Sequence, residues 1–184
     1  MRSASLTVVS QGTVKMFNQL LNSALSLAII LAGVGVGNPG WCADAVRSLD
    51  MKLRFIEDLI HANPNDVGLR LQRSELLGNL QRFDEALDEC DVLIKRNPKL
   101  RDAYLVKARS LAGKRRYKEA VQSLDDAFKL GAPSSKLLLS KAKYLKNEKR
   151  YQDAIETLSK LIKMEPSNAA AYEARANCYF SLYG

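Results

Sequence analysis

Arg82-Phe83-Asp84-Glu85-Ala86, Arg116-Tyr117-Lys118-Glu119-Ala120 and Arg150-Tyr151-Gln152-Asp153-Ala154 repeat one pattern at a fixed spacing of 34 residues. The pattern is arginine, aromatic, variable, acid, alanine. Twelve residues after the alanine stand Pro98 and Pro166, and in the second copy Pro133 comes one place late. A fixed period of roughly 20–50 residues marks a stack of supersecondary units, each too small to bury its own apolar face.

Numbering each copy from 1 to 34, with starts at Val67, Arg101, Ser135 and Ala169, exposes the columns. Position 8 is small (Ser74, Ala108, Ala142, Ala176), and position 11 is large (Leu77, Leu111, Leu145, Tyr179). Position 17 is Phe83, Tyr117 or Tyr151, and position 20 is Ala86, Ala120 or Ala154. Apolar residues fall at helical spacing on both sides of a polar stretch such as Asn147-Glu148-Lys149-Arg150. Each copy therefore reads as helix, tight turn, helix. Small residues let two antiparallel backbones approach, the ring fills the space beside the turn, and the proline stops the second helix for want of an N–H.

These columns resemble the tetratricopeptide repeat family, with Tyr104 and Tyr172 at its position 4 and Arg70 and Leu138 departing from it. The resemblance implies an all-α, right-handed α-solenoid of three full repeats (67–100, 101–134, 135–168) and a partial fourth (169–184). A half-repeat helix precedes them in 46–66, where Lys52 stands in the alanine column. Such a stack has no single central core, since each copy contacts only its neighbours. Cys90 and Cys178 read as small buried hydrophobes rather than a disulfide pair.

No charge occurs between Lys15 and Asp44, and the apolar heart of that window is Ala24–Val36. With Arg2 and Lys15 before it, Asn38-Pro39-Gly40 as a helix breaker and Ala43-Asp44-Ala45 as a small-x-small site, 1–45 reads as a signal peptide. The expected location is the periplasm or the medium. If uncleaved, the segment would instead tether the chain to a membrane through 16–36.

The net charge is +8, and the excess falls in 101–168: copies two and three each carry eight basic and four acidic residues, against six of each in copy one. The resemblance implies that positions 2, 5, 6, 9, 12 and 13 of the first helices line a concave wall. The expected partner-binding groove is thus Leu105, Val106, Arg109, Lys136, Leu139, Lys143, Lys146 and Asn147, suited to an extended or helical peptide with acidic side chains. The Lys/Asn/Arg clamp by which some family members hold chaperone C-termini is matched here only at Lys136. The position-7 column, Arg73, Lys107, Lys141 and Arg175, reads as stems packed along the helices with charges in water.

Other classes fit less well. One histidine, His61, and no Cys, Asp or Glu grouping at ligand or triad spacing give no grounds for an enzyme, a metal or a cofactor. The tyrosines sit in packing columns rather than among the basic residues, which disfavours nucleic acid. The expected function is a non-catalytic protein-interaction scaffold with a protein or peptide partner. The alternatives are an adaptor for an anionic lipid or wall-polymer surface, and self-association through 169–184, which supplies a first helix only.

Overall fold

The computed structural model describes residues 39–183, so residues 1–38 of the expected signal segment, with its tether in 16–36, lie outside them. The chain divides into two compact units, Met1–Met51 and Lys52–Gly184. Helix α1 (Pro39–Ala62) begins where a helix break was expected, and Ala43-Asp44-Ala45 lies inside it. Proline is accepted in a first helical turn because its missing N–H would have had no partner there. Among the described residues no helix is long and apolar enough to cross a membrane.

The rest of the chain is α2 (Val67–Asn79), α3 (Phe83–Arg96), α4 (Arg101–Gly113), α5 (Tyr117–Lys129), α6 (Ser135–Asn147), α7 (Tyr151–Met164) and α8 (Ala169–Tyr183), with no strand among the described residues. Each of these helices packs on the next. Ala86, Ala120 and Ala154 are completely buried, so the alanine column marks equivalent helix crossings in the three copies. The apolar interior is correspondingly broken into clusters, one around Leu53, Leu77 and Ala86, one around Leu87, Leu111 and Ala120, and the largest spanning α5 to α8.

The turn inside each copy is built the same way three times. Gln81, Arg115 and Lys149 are left-handed, at φ 61°, 61° and 59°. The following arginine's N–H then donates back to Leu77, Leu111 or Leu145 O at 2.9 Å, closing a Schellman-type end on the first helix. That arginine occupies the N-cap of the second helix with no side-chain cap bond. Its guanidinium instead grips the acid three residues on: Arg82 with Glu85 (2.6 Å, twice), Arg116 with Glu119 (2.7 and 2.6 Å) and Arg150 with Asp153 (2.6 Å). The same acids lie in the first helical turn, where the helix dipole favours negative charge. This is why arginine and acid recur together in the repeated pattern.

Copies one and three end their second helices on Asn97 and Glu165, which are held extended by the prolines that follow (ψ 90° and 83°). Copy two differs. Its helix α5 stops one residue earlier, Leu130 stays helical at ψ −12°, and the late Pro133 falls in a longer connection. Arg101 closes that end, donating from Nε to Ala127 O (3.3 Å) and from Nη2 to Ala132 O (2.7 Å).

Candidate partner-binding surface

First helices of neighbouring copies should form the wall, and their contacts show which residues face it. Arg109 Nη2 lies 2.8 Å from Glu75 Oε1, exactly one period away, so the position-9 side chains of adjacent copies stand side by side. The column then reads Glu75, Arg109, Lys143, Asn177. The Arg109 charge is therefore already partnered by Glu75, which the sequence reading did not anticipate. Lys136 and Lys143 are exposed, and Lys146 is half-buried on the same helix, α6. Among the described residues no carboxylate forms an ion pair with any of these three lysines.

Leu105 and Leu139 are half-buried, and Asn147 is exposed at the end of α6. Val106 does not belong to the wall: it is 2% exposed. It falls in a row with the buried Ala103 and Ser110, and that row turns toward α2, where Gly78 would place a Cβ 3.4 Å from Ser110 Oγ. A first helix thus buries two flanks, one on its own second helix and one on the preceding first helix. Position 6 lies on the second flank.

That second flank is not equally closed along the stack. In α8 the equivalent Ala171 and Cys178 are buried, whereas in α6 Leu137, Ser140 and Tyr144 are only half-buried. Close approach of first helices is made by α2 with α4 and by α6 with α8, and is weaker between α4 and α6. First helices are therefore spaced most widely between copies two and three, beside the longer connection after α5, and the flank of α6 is only half-closed in that spacing. Tyr144 spans it, stacked on Tyr117 at 6.2 Å between ring centres and packed against two apolar clusters. Its burial pushes the phenol above the ordinary tyrosine range.

The position-7 column is half-buried, and its first three members are paired with carboxylates. Arg73 pairs with Glu57 (3.2 Å) and Lys107 with Asp91 (2.6 Å), while Lys141 pairs with Asp125. Each carboxylate stands at position 25 of the preceding second helix, so the pairs form a ladder between copies. The signal was present in sequence as an acid recurring at position 25, with Ser159 in the last copy. A cavity of about 380 Å³ lined by Glu57, Ile60, His61, Arg70, Arg73 and Glu89 belongs to this ladder. Its arginines are already paired with Glu57 and Glu89. Among the described residues no group of metal-type ligands is present.

The sequence profile of the tetratricopeptide repeat matches residues 71–135 and again 139–182, more than half of the chain. The chain belongs to the tetratricopeptide repeat family. No curated protein matches it. Among solved tetratricopeptide-type folds it is similar to MamA (TM-score 0.67, 16% identity, 79% of this chain and 85% of that one). A repeat protein of Parabacteroides merdae gives 0.64 and 19% identity, over 91% and 69% of the two chains. YrrB, described as having an unusual peptide-binding site, gives 0.60 and 19% over 67% of this chain and 63% of its own. At these identities the likeness is one of fold.

Proposed function

We propose that this tetratricopeptide repeat protein is an exported, non-catalytic scaffold that takes an acidic peptide segment of a partner at the wide spacing between α4 and α6. The family supports a protein-interaction scaffold, and YrrB offers the precedent of a peptide site on a similar fold. The observation that carries the placement is the set of unpaired cations on α6, Lys136, Lys143 and Lys146, beside the half-buried Leu105 and Leu139. Apolar contact supplies affinity there, and the lysines supply steering and selectivity. Export rests on the uncharged apolar window ahead of Asp44.

A peptide library screened on the full chain tests the site. Selected peptides should be enriched in Asp and Glu, and Lys143→Glu with Lys146→Glu should weaken them at least about ten-fold at low salt, with helicity unchanged. Binding that survives both reversals would remove the site from this wall. Sequencing the N-terminus of the cell-derived protein, with fractionation, tests export: a cytoplasmic chain starting at Met1 contradicts it.

A further inference from the structure

Where first helices come close, the columns between them hold short side chains. Helix α4 turns Ala103, Val106 and Ser110 toward α2, at positions 3, 6 and 10, and all three are at most 2% exposed. Helix α8 has Ala171, Ala174 and Cys178 in the same columns, with Ala171 and Cys178 buried. In α6 those columns hold Leu137, Ser140 and Tyr144, all half-buried. The distance between two helix axes follows the bulk of the side chains at their contact, so the leucine and the tyrosine hold α6 off α4. Ser140 is the short residue between them. Val106 fills the matching place in copy two from within, whereas Ser140 leaves it partly open.

The far side of this seat belongs to α4. Position 12 faces position 10 of the next copy, since a Cβ on Gly78 would lie 3.4 Å from Ser110 Oγ. The same pairing sets Ala112 beside Tyr144, and both pack on the cluster of Leu87, Leu111 and Ala120. It brings Leu105, two turns before Ala112, toward Leu137 and Ser140. Ser140 Oγ donates to Lys136 O at 3.0 Å, so its hydroxyl is engaged within α6 and the rest of the seat is apolar. At about 100° per residue, Ser140 falls between the wall face of α6, with Lys136 and Lys143, and the flank with Leu137 and Tyr144. The two lysines are exposed and, among the described residues, form no ion pair.

We propose, on the acidic-peptide reading of this wall, that the partner segment places a valine- or leucine-sized side chain in the seat over Ser140, with a carboxylate two residues to either side for Lys136 and Lys143. Those lysines leave α6 about 6 Å before and about 4.5 Å after Ser140. Side chains two apart on an extended chain share one face at about 6–7 Å. The segment therefore runs extended along α6 rather than across the first helices, and it carries the pattern acid, any, apolar, any, acid.

A library of random twelve-residue peptides displayed on phage and selected on the full chain supplies the probe. Selected sequences should share that five-residue pattern, and the tightest is synthesised with a fluorescein label. Replacing its apolar residue by alanine should weaken binding at least about ten-fold. Ser140→Val in the chain copies Val106 and closes the seat. It should weaken the parent peptide about as much, and the altered chain should hold the parent and alanine peptides alike. Gln152→Val, exposed on α7, should change neither affinity. The peptide substitution keeps the test decisive if Ser140→Val melts early. Enriched acids with no apolar residue at fixed spacing, or a Ser140→Val chain that still tells the two peptides apart, overturn the seat and leave the acidic-peptide wall standing. No enrichment of acids overturns both.

Discussion

Cys90 offers a quantitative probe of how tightly the repeat helices are closed. It stands where α3 crosses α2, has no exposed surface, and faces Ser74, whose hydroxyl donates to Leu71 O at 2.7 Å. Burial pushes its thiol from an ordinary 9.0 to about 11, with the Ser74 hydrogen bond opposing the shift only in part. Below pH 9 the thiol is protonated in both folded and unfolded chains, so it makes no difference to stability. Between pH 9 and about 11 the unfolded chain ionises while the folded one does not, and folding loses stability. At about 1.36 kcal/mol per pH unit, roughly 2 kcal/mol is lost by about pH 10.5. The assay compares urea midpoints of the chain and of Cys90→Val from pH 8 upward, so that lysine and tyrosine titration cancels. The chain should lose about 2 kcal/mol relative to the variant. In a Cys42→Ser, Cys178→Ser background, a disulfide reagent at pH 8 should label Cys90 only as fast as the helix pair opens. Labelling at the rate of the unfolded chain, or a pH-independent gap between the two proteins, would refute the closed crossing.

Gly113 ends α4 against the ring of Phe83, and a Cβ there would lie 2.4 Å from Phe83 Cζ. Gly113→Ala gains at most about 1 kcal/mol of helix propensity but overfills a contact, which costs about 1–3 kcal/mol. It should lower Tm, and in a Phe83→Leu background the same change should become neutral or stabilising. Lys149 is exposed at φ 59°, so Lys149→Gly removes a left-handed penalty of about 1–2 kcal/mol against a chain-entropy loss of about 0.5–1 kcal/mol. It should raise the urea midpoint, whereas Lys149→Val should lower it.

The repeat frame was legible because small and aromatic columns are demanded by helix crossings that recur without change, as the burial of Ala86, Ala120 and Ala154 shows. The left-handed turn residues were not, because Gln81, Arg115 and Lys149 lack the usual glycine, and only the backbone bonds around them reveal the conformation. Val106 was misplaced because position 6 was carried over from the family's concave wall, whereas in α4 that position is buried on the flank turned toward α2. The position-7 ladder needed acids in one copy to be read against cations in the next. The late Pro133 was visible, but the wide spacing of α4 and α6 depends on how two helices approach, which no pattern within one copy encodes.

That wide spacing lies on one side of a joint whose other side is fastened. Asp125 and Lys141 tie α5 to α6, while α4 and α6 stand apart. On that looser edge a single aromatic side chain, Tyr144, carries the join, reaching the clusters on both sides and stacking on Tyr117. Trimming Tyr144 should therefore loosen the seam between copies two and three while leaving the packing inside each copy intact.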